Sequence, residues 1–389
     1  MVSQVKKTIG FFPPKDNSWM GGVHYYCNLF HALSKLKDTC NIYVVFVGEH
    51  ADQTILDMYR NYGAKVVQTS SLDKFSISWF VDRIAQAIFG TRPILNRLLG
   101  KHSVSLVSHV QSDIGINCAQ VAWIPDFQHV HLPKMFSEKE KSSRNKNFKA
   151  ISKKADAVIL SSYDALKDYS NFVPEYAYKG RVARFVSQPP AFYFSLNESD
   201  YLIVKDKYSI SKPYIYVPNQ FWRHKNHQLI LDAVLLCKDR GEEPLILCSG
   251  LMEDYRDTSY ASSLIDYVSK NLLTDNVKFL GLIPYRDVFT LIKFSIAVMN
   301  PSQFEGWSSS VEECKSVNKA MLLSDIDVHK EQYPESLFFN VNSYSSLADK
   351  IGQIYANTET TNDIAGASLE ERTLQYGVAC ADIYSEFFV

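Results

Sequence analysis

Short apolar runs recur along the chain, each followed by a longer segment of helical period, and this alternation constrains the fold more than any other feature. The first set is TIGFF (8–12), IYVVFVG (42–48), KVVQTS (65–70), SLVSHV (105–110), QVAWIP (120–125), AVILSS (157–162) and RVARFV (181–186). The pattern then restarts with YIYVPN (214–219), LILCSG (245–250), VKFLG (277–281), SIAVMN (295–300) and AMLLSD (320–325). The runs are rich in β-branched and aromatic residues. Several are apolar without interruption, as strands buried on both faces must be. Such alternation predicts α/β architecture with parallel sheets covered by helices.

Between the two sets, QPPAFYFSLNESDY (188–201) joins a proline pair to a polar stretch and is the expected domain boundary. A chain of 389 residues also exceeds what one core usually serves. Residues 1–187 and 201–365 are therefore expected to form two Rossmann-like, doubly wound domains facing a cleft. In the segment 373–389, Tyr376, Ala379, Cys380, Ile383 and Phe387 make a helical apolar stripe, so it is expected to cross back to the first domain.

Composition removes several classes. Hydrophobic residues at 46% and charged residues at 21% exclude a disordered chain. With 41 Lys+Arg against 42 Asp+Glu, the net charge of −1 argues against a nucleic-acid partner. The 7 cysteines, scattered from Cys27 to Cys380 with no C-x-x-C pair, suggest neither a zinc site nor a disulfide framework and fit a reducing cytoplasm. The first apolar stretch is broken by Pro13 and Pro14 and reads as a buried strand, not a signal peptide. No uncharged apolar run reaches the ~20 residues needed to span a bilayer. A cytoplasmic protein is expected. The basic run 139–154, with Lys139, Lys146, Lys149 and Lys153 at helical spacing, is either a solvated face or a peripheral contact with the inner membrane surface.

Doubly wound sheets bind ligands beyond the carboxyl ends of their strands, so chemistry is expected in the loops that follow them. Gly21 and Gly22 open a helix after the first strand, either to let backbone N–H groups approach a phosphate or to make a tight turn. Arg223, His224, Lys225 and His227 crowd the start of another helix. The dipole disfavours cations there, which makes sense if an anion binds. In SIAVMNPSQFEGWSSSVEECKSVNKAMLLSDIDVHKEQ (295–332), Ser309 and Ser310 each precede a glutamate by three residues, predicting two capping boxes and a helix starting near Ser310. Glu313 is expected on its first turn. Capping explains Glu312 or Glu313 but not Glu305, which precedes the helix beside Gly306.

These residues resemble a known family. FEGWSSSVEE is similar to the Glu-x7-Glu motif of GT-B glycosyltransferases of the retaining glycosyltransferase family 4. PSQFEG and LLSDIDVHKE resemble its flanking pattern. The Gly21–Gly22 loop, the Lys225 loop and WIPDFQHVHLPKMFS (123–137) fall where that family has donor and active-site segments. The resemblance implies that Glu313 binds the ribose of a nucleotide and that Glu305 contacts the transferred sugar. It further implies that N–H groups of Trp307, Ser308, Ser309 and Ser310, beside Gly306, hold the sugar and distal phosphate. Lys225 and Gly22 would meet the pyrophosphate, and the base would lie near Gly250 and Ile283.

Two departures stand out. Where the family pairs an Arg with the Lys, this chain has Asn219 and Gln220, so either Arg223 reaches the phosphates or Lys225 and helix dipoles act alone. The family's Gly-Phe-Gly-Leu-Pro is here Gly306-Trp307-Ser308-Ser309-Ser310, which bears on sugar identity. For the family's His-Asp pair the chain offers Asp126, with His109, His129 or His131 nearby.

The resulting expectation is a retaining, metal-independent glycosyltransferase in surface glycan biosynthesis. It would move a hexose or deoxyhexose from a nucleotide-diphospho-sugar to a saccharide or lipid-linked saccharide acceptor. No cofactor is expected, the nucleotide sugar being a co-substrate, and no metal is expected. The rivals are a nucleotide-sugar epimerase or hydrolase on the same fold, and a non-catalytic nucleotide-sugar-binding scaffold.

Overall fold

The computed structural model describes residues 7–16, 19–36, 41–254, 256–356 and 367–388. The chain divides into two compact units, Met1–Ser187 with Ala367–Val389, and Gln188–Gly366.

The first unit begins β1 (Thr8–Phe11), α1 (Met20–Ser34), β2 (Ile42–Val47), α2 (Gln53–Asn61), β3 (Lys65–Gln68), α3 (Ile77–Phe89) and α4 (Pro93–Lys101). It continues with β4 (Val104–Val110), β5 (Ala119–Trp123), α5 (Gln128–His131), α6 (Glu138–Lys154), β6 (Ala157–Leu160), α7 (Tyr163–Phe172) and β7 (Gly180–Val182). Its strands, among the described residues, pair in parallel in the order β3-β2-β1-β4-β5-β6-β7.

The second unit runs α8 (Glu198–Lys207), β8 (Ile215–Pro218), α9 (His227–Asp239), β9 (Ile246–Ser249), α10 (Tyr260–Lys270), β10 (Val277–Phe279) and α11 (Tyr285–Phe294). Then follow β11 (Ala297–Asn300), α12 (Ser309–Ser316), β12 (Met321–Ser324), α13 (Asp327–Gln332), β13 (Leu337–Phe339) and α14 (Tyr344–Ala356). Its parallel sheet has the order β10-β9-β8-β11-β12-β13.

Continuous apolar strands are needed because each sheet buries both faces. In β8, Ile215 and Val217 join a core with α9, α10 and α14, while Tyr216 of the same strand, with Tyr214 just before it, faces a second core with α8, α11 and α12. Every predicted run overlaps an observed strand. RVARFV contributes only its first two residues to β7, and β13 is a three-residue edge strand that the periodicity did not announce.

The C-terminal segment forms α15 (Leu369–Ser385), which packs on α1 in the first unit. Gly377 permits this approach, since a Cβ there would stand 2.5 Å from the Ala32 carbonyl oxygen. In β4 the register shifts between Ser108 and Val110, and His109 at the shift adopts φ 59°, a left-handed conformation rare for a side chain of this size.

Candidate functional site

In the second unit, the loops after β8 and β11 are joined side by side. Asn300, the last residue of β11, is fully buried and organises both. Its Oδ1 accepts from the Ser302 hydroxyl (2.6 Å), the Ser302 N–H (3.2 Å) and Asn219 Nδ2 (3.2 Å). Its Nδ2 faces Ser308 Oγ (3.0 Å), Ser310 Oγ (3.4 Å) and Glu305 Oε1 (3.5 Å). The Gln303 N–H donates to the His224 carbonyl (2.8 Å). The two loops therefore share main-chain as well as side-chain bonds.

Lys225 completes the junction, its Nζ 2.5 Å from Glu305 Oε1, with both side chains largely buried. Ser302 Oγ also lies 2.6 Å from this oxygen, its single proton shared between Glu305 and Asn300 Oδ1, so the three contacts to the carboxylate converge on Oε1. Burial, the largest single influence, would raise the Glu305 carboxyl, but the Lys225 ammonium together with the nearby His329 and His224 rings outweighs it and holds the group down at about 2.

The predicted cation cluster on the β8–α9 loop is corrected in two ways. His224 and His227 are buried and pushed down to about 3, so both are neutral, and His227 stacks on Phe221 at 4.3 Å. Each of the two true cations already has a carboxylate. Lys225 has Glu305, and Arg223 pairs with Asp257 while lying over the Tyr260 ring at 4.9 Å. Asn219, where the family pattern has Arg, is buried and spends its amide on Asn300. Asp254 and Arg256 form a further, well-buried ion pair in the next loop.

The mouth of α12 also differs from expectation. The helix starts at Ser309 with Ser308 as its N-cap, and no side chain caps it. The two capping boxes are absent because tertiary partners take their place. Gln332 of α13 accepts the Ser308 N–H (3.0 Å) and donates to the Ser308 carbonyl (2.8 Å), while Ser308 Oγ turns to Asn300. The Ser308 N–H, expected to face an anion, is thus spent. Those of Ser309 and Ser310 lie in the first turn, which has no intrahelical acceptor. Gly306 and Trp307, partly buried, span the interval from Glu305.

Glu313 falls on the second turn of α12, not the first. It makes no hydrogen bond or ion pair among the described residues, and burial pushes its carboxyl up to about 7. Its neighbour Glu312 is fully buried and accepts from Gln332 Nε2 (3.3 Å), a packing role. Behind Glu305 stands His329, buried, neutral and held at about 4. Its Nδ1 meets Ser324, and its Nε2 has no hydrogen-bond partner among the described residues.

Gly250 has φ 149°, and a Cβ there would lie 2.4 Å from the Asn219 carbonyl oxygen, so its glycine keeps the loops after β8 and β9 in contact. Its N–H donates to the Gly281 carbonyl (2.9 Å), tying in the loop that carries the half-buried Ile283. Asn300, Ser302, Gln332 and His329 were not singled out from sequence. Asn300 and Ser302, at a strand's carboxyl end, carried the positional signal; Gln332 did not.

In the first unit, a Cβ on Gly22 would stand within 2.7 Å of the Trp19 ring, whereas one on Gly21 would meet only Trp19 Nε1 at 3.7 Å. Gly22 lets this indole lie against the start of α1. Trp19 stacks on Trp123, which stacks on Tyr25 at 4.4 Å. His109 is buried, with Nε2 2.8 Å from the Tyr25 hydroxyl and Nδ1 2.8 Å from Ser108 Oγ, and burial holds it at about 3. Both ring nitrogens are thus engaged, and the ring is neutral. It lines, with Trp19, Asp16 and Lys15, a cavity of about 410 Å³. Asp126 accepts the Gln128 N–H (2.9 Å) at the start of α5 and lies 4.0 Å from Arg144. His129 contacts Asn145, and the exposed His131 contacts Asp168 at 2.7 Å. Among the described residues no group of three His, Cys, Asp or Glu side chains is placed to hold a metal ion, and no helix is long and apolar enough to cross a membrane.

Residues 204–370 match the family model of glycosyl transferases group 1. The match spans most of the second unit. Its Lys225, Glu305 and Glu313 all fall inside the matched range. The fold is GT-B. Solved structures align over nearly the whole chain, among them a glycosyltransferase from Rickettsia africae (TM-score 0.64, 15% identity, 99% of this chain and 95% of that one). Anabaena HepE in complex with UDP aligns at TM-score 0.62 and 14% identity, over 98% and 95% of the two chains. UDP-GlcNAc 2-epimerase from Neisseria meningitidis, bound to UDP-GlcNAc, aligns at 0.56 and 12%, over 98% and 100%. At these identities the likeness is one of fold. No curated protein matches the sequence.

Proposed function

We propose that the protein is a retaining, metal-independent glycosyltransferase that moves a hexose or deoxyhexose from a nucleotide-diphospho-sugar to a saccharide or lipid-linked saccharide, in surface glycan biosynthesis at the cytoplasmic face. The observation that carries this reading is the Lys225–Glu305 pair beside the open first turn of α12, with Glu313, partly buried and without a hydrogen-bond partner among the described residues, one turn further on.

A partly buried carboxyl with no donor among the described residues suits two vicinal hydroxyls, and Glu313 is assigned to the ribose. Lys225 changes partners when the donor enters, leaving Glu305 for the diphosphate. Glu305, already ionised, then faces the sugar, where positive charge develops as the bond to the leaving phosphate breaks. The N–H groups of Ser309 and Ser310 and the positive end of α12 stabilise the departing charge. The acceptor oxygen attacks on the face the diphosphate leaves, and the departing phosphate takes its proton, which retains configuration. Asp126 is assigned to the acceptor. His109 positions Tyr25 and the β4 end without touching the reacting atoms.

A thermal-shift panel of nucleoside diphosphates and nucleotide sugars, followed by product analysis with and without saccharide acceptors, tests the reading. Stabilisation by a nucleotide sugar and acceptor-dependent release of nucleoside diphosphate are expected, with the product's anomeric configuration unchanged. Conversion of the donor sugar without any acceptor would favour the epimerase or hydrolase instead.

A further inference from the structure

Helix α3 is built the wrong way round for a core helix. Ile77, Phe80, Val81, Ile84 and Ile88 share one face at helical spacing and are between 45% and 84% exposed, whereas the only buried residue of the helix is Asp82, at 7%. The inward face is polar and well satisfied. The Asp82 carboxylate accepts the N–H groups of Ile94 (2.8 Å) and Leu95 (2.9 Å) at the start of α4, and Gln86 donates to the Asp113 carbonyl (2.8 Å). The helix is also closed at both ends, by Ser76 Oγ accepting the Trp79 N–H (3.1 Å) and by Gly90 at φ 70°. Its outward apolar face is therefore fixed in place by polar anchors and is not a consequence of fraying.

The charges around it select an occupant. From residue 74 to 101 the chain carries Lys74, Arg83, Arg97 and Lys101, with Arg92 turned inward to Gln86 Oε1 (2.7 Å), against Asp82 alone, a local charge of 5 − 1 = +4 in a protein whose net charge is −1. A second copy of the chain would bring these cations against their own counterparts. An anionic lipid surface would instead take the apolar side chains below its headgroups and the cations among them, with Trp79, under the Arg83 guanidinium at 5.8 Å, at the boundary. We infer that α3 docks the first unit on an anionic bilayer surface. The basic face of α6 lacks an exposed apolar stripe of this kind, since its apolar Phe148 and Ile151 point inward.

The test is flotation of the full chain with vesicles of phosphatidylcholine alone and of phosphatidylcholine mixed with phosphatidylglycerol. Binding to the mixed vesicles, weakened by salt, is expected. Ile84→Glu with Ile88→Glu should reduce it by about tenfold or more with an unchanged melting temperature, because both side chains are exposed. Lys146→Glu with Lys149→Glu on α6 should retain most of it. Absence of binding, binding that survives the α3 variant, or binding abolished only by the α6 variant would overturn the inference. So would self-association of the wild type, seen by light scattering, that the α3 variant dissolves while no lipid is bound. The assay needs no sugar donor, so its outcome is independent of the proposed reaction.

Discussion

Lys225 and Glu305 satisfy one another across two loops, at 2.5 Å, in a setting where neither side chain is well hydrated. Removing one partner strands the other. Lys225→Met should cost about 3 kcal/mol of folding stability, and the double variant Lys225→Met/Glu305→Gln should recover most of it. Urea unfolding of the four proteins closes the cycle. Because the folded Glu305 titrates at about 2 and not at its usual 4.5, its contribution to stability is complete above pH 4.5 and is lost as pH falls toward 2. Glu305→Gln should flatten the acid limb of the stability curve in that window.

Turnover separates the catalytic role of Glu305 from its structural one. If its carboxylate stabilises charge at the sugar, Glu305→Gln should lower turnover by about a hundred- to a thousandfold while nucleoside diphosphate affinity stays within a few-fold of wild type. Normal turnover in the Gln variant would remove the residue from the mechanism.

Glu313 gives two pH effects of opposite sign. Its carboxyl titrates at about 7, so the free protein holds a proton there below that pH, and a ribose that needs the anion must displace it. Nucleoside diphosphate affinity should therefore weaken as pH falls below 7, and Glu313→Ala should weaken it by about 1.5–3 kcal/mol at neutral pH. Stability runs the other way. The folded state holds a proton that the unfolded state releases between pH 4.5 and 7, so stability declines as pH rises through that range. Glu313→Gln should then be more stable than wild type at pH 8, by about 1–3 kcal/mol, and equal to it at pH 4. Calorimetry and thermal melts across pH check both.

Gly250→Ala combines a left-handed-side φ with a collision on the Asn219 carbonyl. The β8–α9 loop must shift to admit the methyl group, at about 2 kcal/mol or more. Because that loop carries Lys225, donor affinity should fall with stability. A variant of wild-type stability and affinity would show that the loops do not depend on this contact.

Much of this was legible in the residues. Uninterrupted apolar runs such as IYVVFV announced strands buried on both faces, and the spacing of Glu305 and Glu313 marked the β11–α12 loop. Tertiary substitution was not legible. Ser309 and Ser310 precede glutamates at the right interval for capping, yet Gln332 and Asn300 engage the N-cap from elsewhere in the chain, and no local pattern announces a partner from another element. Nor does spacing reveal direction. The stripe from Ile77 to Ile88 has the period of a core helix, and only the bonds of Asp82 to α4 turn it outward. The histidines at 224 and 227 read as cations until burial is known.

Three cations crowd the strand ends of the second unit, and each is matched by its own carboxylate: Lys225 by Glu305, Arg223 by Asp257, Arg256 by Asp254. These pairs leave the site close to self-neutral. A polyanion diffusing toward it meets no strong field at a distance, and attraction develops only as these pairs open at contact. Arrival of the donor should accordingly be slow for a charged ligand and almost indifferent to ionic strength, with discrimination residing in the partner exchange that follows the encounter.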